Sequence, residues 1–311
     1  MIKYIPANAN LIEPFCGDGD LLSLFPFGSW ECYDIELHSN SIQRDTLLNP
    51  PKYKNKWVIT NPPYLAQNKA KDKKIYSLYN VDDLYKASMV SMLEADGGIL
   101  IIPTNFFTDE RTGAIRKQFL NKFNILELNI FTQPIFETTT YSICSFAFQK
   151  KEKENSEQCF AVNIYPENRR IEVKLLGKYD YRIAGEFYAE VAKTPNIFGR
   201  IIADIQNVDY ILPIRLYALD TRTTHIHLEY DENIYYGKTT DRIYATLTCK
   251  YKLTNEQCKK LIEVFNERIE AFRQKYCDIA FTNYRDYNRK RISFDFAYRL
   301  LSTIYCELYT S

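Results

Sequence analysis

At 311 residues, with 46% apolar and 25% charged side chains, the chain has an ordinary globular mix and the length of about two domains, which excludes wholesale disorder. Forty Lys and Arg against thirty-nine Asp and Glu leave a net charge of +1, which excludes a protein that grips a polyanion by bulk charge alone. Tyr (25) and Phe (19) are abundant, and a Tyr ring offers a stacking face and a hydroxyl together.

The first 150 residues alternate short apolar runs with helical stretches. NLIEP, WECYDI, KWVITNPP, GGILIIP, NILELNIF and YSICSFAFQK predict strands; residues 18–25, 81–94 and 111–122 predict helices. Such alternation implies a doubly wound, mostly parallel α/β sheet. The last two strands follow each other without room for a crossover helix, which predicts an antiparallel hairpin at the sheet edge. KKEKENSEQ, residues 150–158, holds three Lys, three Glu and no large apolar side chain. It predicts a solvated linker and therefore two domains, 1–150 and 159–311. Beyond it, FAVNIY, HIHLEY and RIYATLTCKY predict strands. Residues 254–306 read as mainly helical, with Leu261, Ile262, Phe265, Ile269 and Phe272 at 3–4 spacing and Thr254 as N-cap. The second domain is thus α+β.

Eight Cys form no C-x-x-C pair and sit mostly in apolar stretches, which reads as reduced, buried thiols in a cytoplasmic protein. The three His form no ligand cluster, and no metal is expected. MIKYIPANAN lacks the apolar core of a signal peptide. The longest apolar runs fall far short of the roughly 20 residues that span a bilayer, so no membrane partner is expected.

LIEPFCGDGDLL carries the first chemical signal. An apolar strand leads to Glu13, then to Gly17-x-Gly19, then to a helix. Glycines at such a turn let the backbone approach a ligand closely. Glu13, Asp18 and Asp20 make the loop acidic, which repels a pyrophosphate and welcomes a cationic end. The next strand ends at Asp34, where a carboxylate typically takes a ribose diol. Asp45 follows in QRDTLL. Glycine turn, ribose acid and further acid suit an adenosine-type ligand with a charged tail. S-adenosylmethionine fits that description.

The fourth strand delivers Asn61-Pro62-Pro63-Tyr64 at its carboxyl end, where open α/β sheets bind ligands. The prolines fix φ and remove two N–H donors. Asn61 offers an amide oxygen and Pro62 a backbone carbonyl. Two acceptors held this way can bind both hydrogens of one planar amino group, and Tyr64 supplies a face for its ring.

On these residues the chain resembles the class I S-adenosylmethionine-dependent methyltransferases. More narrowly, it resembles the DNA methyltransferases that modify N6 of adenine, in the gamma-type order of cofactor loop, NPPY tetrapeptide and target recognition domain. The resemblance covers residues 1–150 and implies a Rossmann-like sheet there, with a DNA target recognition domain at 159–311. It implies that Gly17 and Gly19 cradle the methionine portion near Glu13, that Asp34 binds the ribose and that Asp45 binds the cofactor adenine. It implies that Asn61 and Pro62 hold the target amino group and that Tyr64 stacks on a flipped base, joined by Phe136 from IFETTTYSICSFAFQK. The cofactor carboxylate would fall to a segment ahead of the glycine loop, where Tyr4-Ile5-Pro6-Ala7 stand.

Methyl transfer on a base requires flipping it out of the duplex. Two basic clusters are candidates for phosphate contact: Lys69, Lys71, Lys73 and Lys74, directly after the tetrapeptide, and Arg285, Arg289, Lys290 and Arg291. The reading is a site-specific DNA adenine-N6 methyltransferase acting on duplex DNA, in restriction–modification or defence, with a cognate restriction endonuclease as partner. It would yield S-adenosylhomocysteine. The alternatives are an RNA adenine-N6 or protein glutamine-N5 methyltransferase, or a non-catalytic nucleic-acid-binding subunit of the same fold.

Overall fold

The computed structural model describes residues 1–310 apart from 26–28, 138–140, 206–208 and 284–287, together with the side chain of residue 22. Arg285 therefore lies outside the described residues. The chain divides into two compact units, Met1–Arg182 and Ile183–Ser311.

One mixed sheet organises the first unit. In chain order its elements are β1 (Asn10–Glu13), α1 (Asp20–Ser23), β2 (Ser29–Asp34), β3 (Ile42–Gln43), β4 (Trp57–Thr60), α2 (Lys74–Tyr79) and α3 (Leu84–Ser91). There follow β5 (Gly97–Pro103), α4 (Asn105–Thr108), α5 (Gly113–Lys122), β6 (Phe123–Phe131), β7 (Ile143–Lys150), β8 (Glu157–Tyr165) and β9 (Arg169–Leu176). The spatial order is β3-β2-β1-β4-β5-β7-β6-β8-β9. From β3 to β5 every pairing is parallel. β7 runs antiparallel to β5 and β6, β8 parallel to β6, and β9 antiparallel to β8.

The glycine pair that opens β5 is a packing requirement. A Cβ on Gly98 would stand 2.0 Å from the Val58 carbonyl oxygen, so only glycine lets β5 lie this close to β4. Behind β5 and β7, Phe106, Phe107, Phe119, Phe123, Phe146 and Phe148 form one ring cluster with centroids 4.7–6.2 Å apart, mostly edge to face. Each such contact adds about 0.5–1.5 kcal/mol beyond area burial. Much of the Phe content is spent here. Arg116, buried on α5, donates to the carbonyls of Phe106, Asp109 and Asp180 and ties the helix to its surroundings.

Two expectations move. The β6–β7 hairpin is not the edge of the sheet, because β8 and β9 extend it. The segment 150–158 runs from the last residue of β7 through a loop at 151–156 into the start of β8, all within the first unit, and the boundary lies at 182/183 rather than there. Gln158 supplies the physical reason. Its side chain is buried, donates to the carbonyls of Leu120 and Phe123 and accepts from the Ile125 N–H at 2.9 Å. Phe160, Val162 and Ile164 then alternate into the core. The helices are also shorter than predicted, α1 being a single turn, and α2 was not anticipated.

The second unit contains α6 (Gly185–Ala192), β10 (Phe198–Arg200), β11 (Tyr210–Tyr217), β12 (His227–Tyr230), β13 (Tyr244–Cys249), α7 (Asn255–Tyr276), β14 (Thr282–Asn283), β15 (Lys290–Arg291) and α8 (Phe294–Tyr309). Four antiparallel strands pair in the order β10-β13-β11-β12. Thr254 caps α7 in a capping box with Gln257, as its position suggested. Leu261, Phe265, Ile269 and Phe272 are the buried stripe, with Ile262 only half-buried. Asn266 clamps α7 to β12 by bonding both the N–H and the carbonyl of Leu228. The helical stretch breaks at Cys277 and Asp278, both at positive φ, and the β14–β15 hairpin intervenes. Among the described residues, no helix is long and apolar enough to cross a membrane, and no group of three or more His, Cys, Asp or Glu is placed to hold a metal.

Candidate functional site

Strand order reverses between β1 and β4, and a crevice opens at such a switch point beyond the carboxyl ends of the strands. Here it is a cavity of about 540 Å³. Glu13 from β1, Gly17 from the following loop, Asp34 from β2, Asp45 and Asn61 from beyond β4 all line it.

Backbone bonds fix the glycine loop against β2. The Cys16 N–H donates to the Tyr33 carbonyl at 2.8 Å, and the Gly17 N–H donates to Asp34 Oδ2 at 2.8 Å. Gly17 and Gly19 sit at φ +51° and +88°, where a side chain would strain the backbone. A Cys16–Cys32 disulfide, with Cα atoms 5.7 Å apart, joins loop and strand. This corrects the expectation of reduced thiols throughout. Of the remaining cysteines, Cys159 and Cys306 are exposed rather than buried.

The acids differ in how they are held. Asp34 accepts from Gly17 and, through Oδ1, from the Glu36 N–H at 3.0 Å. Asp45 Oδ1 caps a turn by accepting from the N–H groups of Leu47 and Leu48. A carboxylate offers about four acceptor sites, so both retain capacity for a ligand. Glu13 is 1% exposed, and among the described residues its Oε2 has no hydrogen-bond partner. Burial, and then the neighbouring Asp34 and Asp20, push its carboxyl up to about 9.

Beyond β4, Pro62 is buried and Pro63 faces the cavity. The Tyr64 hydroxyl bonds inward to Asn61 Oδ1 and to the Ile101 carbonyl, and its ring meets Tyr85 edge to face. The following residues are pinned. The Leu65 N–H donates to Asp83 Oδ1 at 3.2 Å, the Leu65 carbonyl accepts from Leu84 N–H and Tyr76 hydroxyl, and the Gln67 N–H donates to the Asp82 carbonyl. Burial pushes Asp83 up to about 6.

The cavity thus gathers Glu13, Gly17, Asp34, Asp45 and Asn61, but not Gly19, Pro62, Tyr64 or Phe136. Phe136 is half-buried just before residues 138–140. The segment 4–7 does not line the cavity, and the Tyr4 hydroxyl donates instead to Glu127 Oε2 at 3.1 Å. Sequence reasoning missed the apolar walls Phe15, Ile35, Leu47, Ile75 and Leu84. Adjacency was the available signal for two of them, since Ile35 follows Asp34 and Leu47 stands two residues after Asp45.

Lys69, Lys71, Lys73 and Lys74 are exposed, with no ion pair among the described residues. The second basic cluster differs. Lys290 is 5% exposed, and its ammonium donates to Asn283 Oδ1 and Asn288 Oδ1. It is a structural residue of the β14–β15 hairpin and is withdrawn from the phosphate-facing set. Arg289 and Arg291 are half-buried.

A family profile described as N-6 DNA Methylase matches residues 32–225. Among solved structures, a modification subunit of a putative type I restriction enzyme from Vibrio vulnificus is similar at 11% identity over 62% of this chain and 49% of that one, with a TM-score of 0.43. A putative class I S-adenosylmethionine-dependent methyltransferase from Listeria monocytogenes is similar at 12% identity over 51% of this chain and 59% of that one, with a TM-score of 0.41. The chain spans about half the length of these structures.

Proposed function

From its place in the N-6 DNA methylase family, to which this chain belongs, we propose that it transfers a methyl group from S-adenosylmethionine to N6 of an adenine flipped out of duplex DNA. The observation that carries this reading is one cavity with acidic and neutral-acceptor ends: Glu13, Gly17, Asp34 and Asp45 on one side, Asn61 on the other.

The residues fit the cofactor on a physical test. A buried carboxylate with an orphan oxygen, made costly to ionise by two further acids, is stabilised by a cation. Glu13 would hold the positively charged methionine portion beside Gly17, Asp34 the ribose hydroxyls, and Asp45 the adenine amino group. Ile35 and Leu47 would wall the ring. Bound there, the cofactor supplies a methyl group already activated by its sulfonium.

The chain's own work is positioning. The lone pair of an aromatic amine is delocalised into the ring, which makes it a poor nucleophile. Accepting hydrogen bonds at Asn61 and at the Pro62 carbonyl would favour a more tetrahedral nitrogen and free that lone pair. Flipping costs a few kcal/mol. Stacking on Tyr64 and Phe136 would offset it by about 1–3 kcal/mol per base. Lys69, Lys71, Lys73 and Lys74, beside the chemistry, would meet backbone phosphates, joined by Arg289 and Arg291. Such an enzyme belongs with restriction–modification or defence, with a cognate endonuclease as its natural partner.

The test is methyl transfer from labelled cofactor to duplex DNA, RNA and a release factor, followed by nucleoside analysis. The expected product is 6-methyladenine in DNA. Label found only in RNA or protein would overturn the reading.

A further inference from the structure

The Tyr64 hydroxyl stands within hydrogen-bonding reach of two oxygens: the one placed at Asn61 Oδ1 and the Ile101 carbonyl, 2.6 Å away. A phenol carries one proton, and a backbone carbonyl can only accept. Ile101 belongs to β5, paired to β7 at Ser145, so its carbonyl cannot turn away. One proton shared between both oxygens would make two bent, weakened bonds. The two ends of an Asn amide have nearly the same shape, so its orientation is decided by its hydrogen-bond partners. Turning the Asn61 amide over resolves the conflict with no change in packing.

We propose that Tyr64 is a positioning residue: its hydroxyl donates to the Ile101 carbonyl, accepts from Asn61 Nδ2, and so turns Asn61 Oδ1 into the cavity as the acceptor for the target amino group. This rests on the methyltransferase reading above. Among the described residues the Asn61 side chain has no other hydrogen-bond partner, so Tyr64 alone sets its orientation. With the amide the other way, an NH2 group would confront an NH2 group. Tyr64 is held for this task. Its ring lies 6.4 Å from the buried Tyr85 at 80°, and the next residue is pinned to Asp83. Burial raises the hydroxyl far above its ordinary value, which keeps it protonated as a donor. The ring face stays a separate matter, so stacking and orientation divide between the two parts of one side chain.

Tyr64→Phe keeps the ring and removes the hydroxyl. The expected result is a fall in kcat of about tenfold to a hundredfold, as for loss of other groups that fix a reacting partner, with KM for DNA and cofactor Kd within about twofold. Unmethylated genomic DNA serves as substrate. A wild-type rate, or a loss confined to KM, overturns the proposal and leaves stacking as the whole role. A second measurement needs no DNA. The Asn61 side-chain amide resonance, assigned by its loss in Asn61→Asp, should show one slowly exchanging, downfield-shifted proton that Tyr64→Phe abolishes. An amide that exchanges freely in the unaltered protein also overturns the proposal. If that protein methylates no DNA, the functional reading fails, and the amide resonance still decides this one.

Discussion

At one end of the cavity stand carboxylates, and at the other stands the neutral amide of Asn61 on a proline-stiffened turn. The acidic end acts by field. Among the described residues Glu13 carries an unsatisfied oxygen, and its raised pKa means that its ionised form is disfavoured, which a cation beside it would relieve. The Asn61 end acts by direction. It presents no charge, and its value depends on which way one amide points. The contrast teaches that a change of charge should be felt at the first end in binding and stability. A change of hydrogen-bond geometry should be felt at the second end in rate.

Asn61→Ala is the sharpest cut. It removes one of the two acceptors proposed for the target amino group and leaves the acids intact. Transfer should fall by about a hundredfold to a thousandfold or more, the scale typical of removing one preorganised polar group. Cofactor Kd, measured by calorimetry, should stay within about twofold. Equal loss of cofactor binding would erase the distinction between the two ends.

Glu13→Gln tests the field. Hydrogen bonds to charged groups are worth about 1.5–3 kcal/mol, which predicts a cofactor Kd weaker by roughly tenfold to a hundredfold. The pH dependence has a definite sign. The free protein holds Glu13 protonated up to about 9, and a bound cation favours the carboxylate, so binding releases a proton. Cofactor affinity should therefore rise from pH 6 to 7.5 in the unaltered protein and flatten in Glu13→Gln. Stability runs the opposite way. The folded pKa lies above the unfolded value of 4.5, so the contribution of Glu13 is full below that value and is lost as pH rises towards 9. The Tm advantage of the Gln variant should then grow with pH, at about 2–4 °C per kcal/mol for a domain of this size. An unchanged pH slope in calorimetry would remove Glu13 from the cation site.

How legible this was depended on the range of the interactions involved. That Glu13, Gly17, Asp34, Asp45 and Asn61 gather round one cavity was readable from their places near strand ends, whereas Gly19, Pro62 and Tyr64 do not line it. Thr254 as an N-cap was readable for the same local reason. The domain boundary was not. Gln158 ends a run that looks like a solvated linker, yet three backbone groups 33 to 38 residues earlier in the chain bury it. The β6–β7 hairpin formed as read, but its place inside the sheet was hidden, since pairing of β8 with β6 is non-local. The orientation of Tyr64 was equally hidden, because the Ile101 carbonyl that draws its hydroxyl inward lies 37 residues away.

The two basic clusters extend the contrast between field and direction, with smaller effects. Both read alike as basic runs. Lys71 and Lys73 project from an irregular, exposed segment, whereas Lys290 is folded inward onto two Asn oxygens. Replacing Lys71 and Lys73 with Ala should reduce the slope of log affinity against log salt by about 0.9 for each phosphate that is no longer neutralised, with Tm unchanged. Lys290→Ala should do the reverse. It removes the donor that the Asn283 and Asn288 oxygens share, at a cost of about 1–3 kcal/mol, so Tm falls by several degrees. The salt slope should stay as it was, because that ammonium is spent within the hairpin before any phosphate arrives. Filter-binding titrations across a salt series, run beside thermal melts of the same preparations, separate the two. A flattened slope with an intact Tm in Lys290→Ala would mean that the hairpin opens to present its lysine, and the division between structural and phosphate-facing charge would fall with it.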